Sequence, residues 1–341
     1  MVNVKDARKA PIDMEKVSSA PEKTRPLRKR KPWIAVGVIF LVVVVACVIP
    51  APRSGIPTQS EGQTLVAVTA SETSAPTRTA TPQPSSTPTF TGTEIIEATL
   101  TLLPDYQIDD KGIPMAYVPA GVFAMGNDRG SADEQPIHPV DLDAFFIDKF
   151  EVTNAFYEAC VEAGACPPVK KKSSATRNSY YDNRRFTRFP VIFVDWNMAQ
   201  TYCEWREARL PTEAEWEKAA RGGTNVIYPW GDTPDCNLVN YGNCLGDTSG
   251  ATIYDLGQSR YGVYNMAGNV WEWVSDWYSD AYYRSSPRDN PQGPEAGNKK
   301  VLRGGSWKDD YQEMRSVNRA AERPTYSSNS IGFRCARDTN P

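Results

Sequence analysis

Apolar residues follow a helical period in only three stretches of this chain. Thr153 stands where it can cap a helix over 154–163, and Gly164 follows as its stop. Beyond Asp195, the residues Trp196, Ala199 and Cys203 recur at i, i+3 and i+7, which puts them on one inward face. The third helix is the best marked. Thr212-Glu213-Ala214-Glu215 is a capping box, Lys218 and Arg221 suit the negative end of the helix dipole, and Gly222-Gly223 ends it. Short runs with strand character lie at 121–125, 144–148, 191–194, 270–274 and 331–336. Elsewhere aromatics, Gly and Asn alternate over short distances, which predicts much irregular backbone. Helices set on an irregular, mostly antiparallel sheet give an α+β fold.

The first hundred residues are patterned differently. Residues 33–49 carry no charge and are rich in Val and Ile, and about 17 residues is the shortest helix that spans a bilayer. Residues 1–49 hold ten Lys or Arg against four Asp or Glu, a local +6. Positive charge before an apolar span predicts a cytoplasmic N-terminus and export of the residues beyond the span. The sequence Val44-Val45-Ala46-Cys47 also has the form of a bacterial lipobox, which makes a lipid on Cys47 the alternative anchor. Residues 50–104 are rich in Thr, Ser and Pro and bury too little apolar surface to offset the entropy of ordering. The expected organisation is a basic cytoplasmic tail at 1–32, a single-pass membrane anchor at 33–49, a disordered tether at 50–104 and an extracytoplasmic domain at 105–341.

Composition then removes several kinds of chemistry. His138 is the one histidine, so no HExxH zinc protease, two-His iron site or His-rich copper site can be built. A Ser-His-Asp triad would have to run through it. The net charge of −3 becomes −9 once the +6 tail is set apart, which argues against nucleic acid as a partner. Cys160, Cys166, Cys203, Cys236, Cys244 and Cys335 follow the anchor, an even number in an exported segment, and this favours disulfides. Short spacing pairs Cys160 with Cys166 and Cys236 with Cys244, which leaves Cys203 for Cys335. A zinc site has no CxxC spacing to rest on.

The motifs of 105–341 are specific. Gly121-Val122-Phe123-Ala124-Met125-Gly126 is followed by His138-Pro139-Val140, Phe150-Glu151-Val152-Thr153-Asn154 and Arg209-Leu210-Pro211-Thr212-Glu213-Ala214-Glu215-Trp216-Glu217. Then come Tyr228-Pro229-Trp230-Gly231, Tyr264-Asn265-Met266-Ala267-Gly268-Asn269-Val270-Trp271-Glu272-Trp273, Arg303-Gly304-Gly305-Ser306-Trp307 and Ile331-Gly332-Phe333-Arg334. In this order they resemble the formylglycine-generating enzyme family, the sulfatase-modifying factor domain, over nearly all of 112–338. The resemblance implies a variant of the C-type-lectin-like fold, and its disulfide also falls on Cys203 and Cys335. It implies calcium at two places. One set is Asn265, the carbonyls of Gly268 and Val270, and Glu272. The other is Asn240, the Tyr241 carbonyl, Asp247 and the Ser249 carbonyl. Hard oxygens gathered by a Gly-containing turn are what calcium takes.

Members that make formylglycine oxidise a sulfatase Cys with oxygen and a copper ion held by two Cys shortly after the Gly-Gly-Ser motif. Thiolates suit Cu(I) and are not easily replaced. The segment here runs Trp307-Lys308-Asp309-Asp310-Tyr311-Gln312-Glu313-Met314-Arg315 without a Cys, so copper is not expected. Ser306, Trp307, Lys308, Asp309, Asp310, Arg315 and Arg319 remain as a candidate cleft for a protein, peptide or glycan. The leading expectation is a calcium-stabilised binding or scaffold module on a membrane tether. The rivals are a divergent oxidase or hydrolase in the same cleft, and a sensor or adaptor whose basic tail meets cytoplasmic partners or anionic lipid.

Overall fold

A computed structural model describes residues 106–339 apart from Asn243. The tail, apolar run and tether expected at 1–32, 33–49 and 50–104 lie outside the described residues. Among those described, no helix is long and apolar enough to cross a membrane.

All three helices form where their caps place them. Helix α1 (Asn154–Glu162) starts at Thr153, whose hydroxyl accepts from the Phe156 N–H, and α2 (Trp196–Trp205) starts at Asp195, which accepts from Met198 N–H. In α3 (Glu213–Arg221) both halves of the capping box are made, and Gly222 closes the helix in the left-handed region at φ 63°. Five of the nine α3 residues are charged, yet every one is buried.

Among the described residues ten short strands make three sheets. Strands β1 (Tyr106–Ile108), β2 (Pro114–Val118), β5 (Phe145–Asp148) and β10 (Ala336–Asp338) form an antiparallel sheet in the order β1-β2-β5-β10. Strands β3 (Gly121–Met125) and β4 (His138–Leu142) pair as a separate two-stranded sheet. The third sheet runs β8-β7-β6-β9, from β6 (Trp271–Trp277), β7 (Lys300–Arg303), β8 (Arg319–Glu322) and β9 (Ile331–Phe333). Its β6–β9 pair is parallel.

Two strand expectations are corrected. Residues 191–194 form no strand, because Phe193 takes a left-handed backbone at φ 57° and the N–H groups of Val191 and Phe193 bond to separate segments, at Val152 and Ser328. The run 331–336 is divided between β9 and β10, which belong to different sheets. At the break Arg334 turns inward to a carboxylate, and Cys335 is tied to Cys203.

Apolar packing is concentrated around α1 and α2, with Tyr157, Tyr202, Trp273 and Phe333, and around α3, whose Trp216 shares a core with residues of β2, β3, β4 and β5. Buried guanidinium groups join these regions. Arg206 reaches Asp109 and Asp148 at 2.6 and 2.7 Å, and Arg319 forks Glu213 at 2.7 and 2.9 Å. Arg303 pairs with Glu217. An unpaired buried charge costs several kcal/mol, about 3–5, so these partners are obligatory once the fold encloses them. Disulfides link Cys160 to Cys166, Cys203 to Cys335 and Cys236 to Cys244, as the spacing predicts.

Candidate functional site

Three loops are stitched together at the start of β6. The Asn269 N–H donates to the Asn240 carbonyl at 2.8 Å, and Gly268 N–H to Gly304 O at 2.7 Å. Trp307 N–H reaches Asn269 O at 2.9 Å, and Gly242 N–H reaches Asp309 O at 2.7 Å. Position 268 must be glycine: its φ is 71°, and a Cβ there would lie 2.5 Å from the Asn240 carbonyl oxygen. The two oxygen sets expected around 240–249 and 265–272 are therefore neighbours, and the expected cleft at 306–309 adjoins them.

Glu151 lies behind the first set, bonded to its Asn265, and is fully buried. Its two oxygens accept from Asn265 Nδ2 and Asn269 Nδ2, each at 2.8 Å. Both asparagines hold left-handed backbone, φ 53° and 59°, which a short polar side chain tolerates. Burial pushes the Glu151 carboxyl up to about 7; Arg334 opposes this and the Glu272 charge adds to it. Glu272 accepts from Trp216 Nε1 at 2.7 Å and from the Arg334 fork at 2.7 and 2.6 Å. The Asn265 Oδ1 atom is buried and finds no donor, and so is Asn240 Oδ1. Buried acceptors are rarely left unpaired, so each marks a place for a water or a cation.

The sets differ in how free their carboxylates are. Glu272 Oε1 has a single donor and keeps room for a further contact, while Oε2 already takes two. Asp247 Oδ2 already takes Ser174 Oγ at 2.6 Å, Thr176 N–H and Oγ1 at 2.8 Å, and Arg177 at 3.1 Å. Burial pushes the Asp247 carboxyl up, but these hydrogen bonds outweigh it and hold the group below the usual carboxylate range. Among the described residues no group of three or more His, Cys, Asp or Glu is placed to hold a metal. A cation here would rest mainly on amide and carbonyl oxygens, which calcium accepts.

The expected cleft residues separate into three places. Asp309 receives Trp271 Nε1 at 2.8 Å and the Ser306 hydroxyl, both on Oδ2. Trp307 is half-buried, its indole N–H on Asn329 O at 3.1 Å, while Lys308 is exposed. Asp310 caps its own turn by accepting Gln312 N–H at 2.8 Å. Arg315 forks the buried Glu134 at 2.9 and 2.7 Å and borders another cavity, of about 750 Å³, with Asn127, Arg129, Arg221, Asn225 and Gln312. Arg319 is enclosed in the fold on Glu213 and belongs to neither. Met314 is fully buried among Tyr228, Val239 and Ala267. Arg334 and Arg303 are buried ion-pair partners. His138 donates or accepts through Nδ1 at the Pro136 carbonyl, 2.9 Å away, and its ring packs against Tyr283.

Glu151 and Trp271 stand in the sequence only as members of motifs, with no role legible for either. The two asparagines four apart around a glycine were the available signal for Glu151, since two left-handed amides in one buried turn need an acceptor between them. Glu134 and Asn127, in the irregular loop after β3, had none.

Residues 106–339 match the Sulfatase-modifying factor enzyme 1-like domain. The chain is 38% identical over 279 residues to the formylglycine-generating enzyme of Streptomyces coelicolor, covering 65% of this chain and 88% of that enzyme. It is 36% identical over 239 residues to the serine/threonine-protein kinase pkn1 of Chlamydia pneumoniae, covering 66% of this chain and 38% of the kinase. It thus spans well under half of that relative's length. Among solved structures, PvdO from Pseudomonas aeruginosa superimposes with a TM-score of 0.58 at 27% identity, over 68% of this chain and 97% of that one.

Proposed function

The chain belongs to the sulfatase-modifying factor family, and from that premise we propose a membrane-tethered, extracytoplasmic member that binds a ligand without forming formylglycine. The observation that carries this reading is the state of the cysteines. All six in the described residues are spent in disulfides, so no thiolate pair stands ready for copper. The segment after the Gly-Gly-Ser motif instead holds Asp309, which accepts from Trp271 and Ser306, and the buried thioether of Met314. Three bridges also suit an oxidising compartment outside the cytoplasm.

Calcium supports the module in this reading. The orphaned Oδ1 atoms of Asn265 and Asn240 would each be a ligand, with Glu272 as the freer carboxylate. When bound, the ion supplies charge that stabilises three loops against one another. The half-buried Trp307 and exposed Lys308 and Asp310 flank Asp309, and this mixture of aromatic and charged groups suits a protein, peptide or glycan ligand.

The test is metal analysis of the purified full chain, combined with incubation of the copper-treated protein in air with a Cys-containing sulfatase peptide. Bound calcium without stoichiometric copper, and no aldehyde on the peptide, is the expected result. Copper uptake with aldehyde formation would overturn the reading in favour of an oxidase.

A further inference from the structure

One buried carboxylate sets the orientation of both candidate cation loops. Both Glu151 oxygens accept from amide NH2 groups, so the carboxyl dictates how the side chains of Asn265 and Asn269 are turned. Asn265 must direct its NH2 to Glu151 and to the Ala251 carbonyl, 3.1 Å away, which only accepts. Its Oδ1 is thereby turned the other way, where it is buried without a donor. Asn269, held by the second Glu151 oxygen, presents its own Oδ1 to the Ser249 N–H at 2.9 Å and hydroxyl at 3.1 Å. Its N–H fixes the Asn240 carbonyl.

We propose that Glu151 is the positioning residue of the calcium centre, aiming Asn265 Oδ1 at the ion and, through Asn269, fixing the 240–249 loop that carries the second oxygen set. This role rests on the calcium reading above. Glu151 does not itself need to touch the ion. It acts as outer-shell carboxylates do when they fix a ligand's rotamer.

The geometry predicts how a neutral isostere fails. In Glu151→Gln one acceptor becomes an NH2 group, which meets an asparagine NH2, and one asparagine must rotate. Asn269 is held by two bonds from Ser249, whereas Asn265 is held only by the single, longer bond from its NH2 to the Ala251 carbonyl. Asn265 therefore turns, and its NH2 replaces Oδ1 at the ion. In the double variant E151Q/N269D every bond returns, and only the one between positions 151 and 269 is reversed in polarity. The glutamine NH2 donates to the new carboxylate at 269, that carboxylate still accepts from Ser249, and the glutamine oxygen accepts from Asn265.

The experiment is calorimetric titration of the chelator-stripped full chain with calcium chloride, with thermal unfolding in chelator to follow the fold. Glu151→Gln should weaken calcium binding by about 10- to 100-fold, and E151Q/N269D should restore it to within about threefold of the natural chain. A merely structural Glu151 would lower the unfolding temperature in chelator without this polarity-dependent recovery. Natural protein that binds no calcium overturns the calcium reading itself. Calcium binding unchanged in Glu151→Gln overturns only the positioning role. A double variant that binds as weakly as the single one, or fails to fold, overturns it as well, since all the hydrogen bonds are present there. Should Glu151→Gln not accumulate in folded form, the double variant decides alone.

Discussion

Replacing Cys203 and Cys335 together by alanine should destabilise the domain about twice as much as removing either short bridge. The long bridge joins residues 132 apart in sequence, while the others span 6 and 8. Loop-closure entropy then gives about 5 kcal/mol for Cys203–Cys335 and about 2–2.5 kcal/mol for Cys160–Cys166 or Cys236–Cys244. A domain of this size changes Tm by about 2–4 °C per kcal/mol, so the falls should be about 10–20 °C and about 4–10 °C. Both sulfurs of the long bridge are fully buried, and the void left by alanine adds to its cost. The assay is thermal and urea unfolding of the full chain under non-reducing conditions. The urea m value should also rise for the long-bridge variant, because its denatured state expands further. Equal losses for the three variants, with m unchanged, would refute the reasoning that the denatured chain decides the effect.

Three further outcomes can be checked. Asp276 is buried, and burial together with the Glu213 charge pushes its carboxyl up to about 7. A carboxyl raised on folding stabilises the fold below its unfolded pKa, and that contribution is lost as pH rises from about 4 to 7. Asp276→Asn keeps an acceptor for the Glu213 N–H, now 2.8 Å away, so its stability relative to the natural chain should rise across that window by up to about 4 kcal/mol. Urea unfolding at pH 4 and pH 8 reads most of this change, and a constant difference would count against it. Arg206→Ala strands Asp109 and Asp148 in the interior and should cost about 3–5 kcal/mol, partly recovered by adding D109N and D148N. No recovery in the triple variant would place the loss in packing instead. Thr212→Ala removes the α3 cap and should cost about 1–2 kcal/mol in the same assay, and a loss near zero would show that the Glu215–Arg209 pair holds the helix start unaided.

Helices α1, α2 and α3 were legible because capping is local: Thr153, Asp195 and Thr212 each bond an N–H three residues on. The short bridges were legible for a similar reason, since a few residues decide whether two thiols can meet. Strand β7 was not. Lys300 is buried between the rings of Trp196 and Trp277, 4.1 and 3.9 Å from their centres, and Arg303 lies beside Glu217, so charge masks a strand buried at every position. The residues expected to share one cleft do not stay together around Asp309. Closeness in sequence grouped Arg315 and Arg319 with it, but side-chain direction in an irregular loop is set by partners elsewhere, and theirs are Glu134 and Glu213.

The sequence by itself determined the family, the helix starts, the cysteine pairing and the absence of a Cys pair after Gly-Gly-Ser. These depend on residue identity and short spacing, not on the segments that pack above them. The tertiary structure decided which charges are interior and which way the amides face. Helix α3 carries five charges, yet it is buried because Arg303 and Arg319 neutralise Glu217 and Glu213 from distant segments, while Arg209 just before the helix neutralises Glu215. Likewise nothing local turns Asn265 Oδ1 away from its neighbours; a carboxylate 114 residues earlier does. Ion pairs and hydrogen bonds act over a few ångströms of space, and only folding brings those positions within reach.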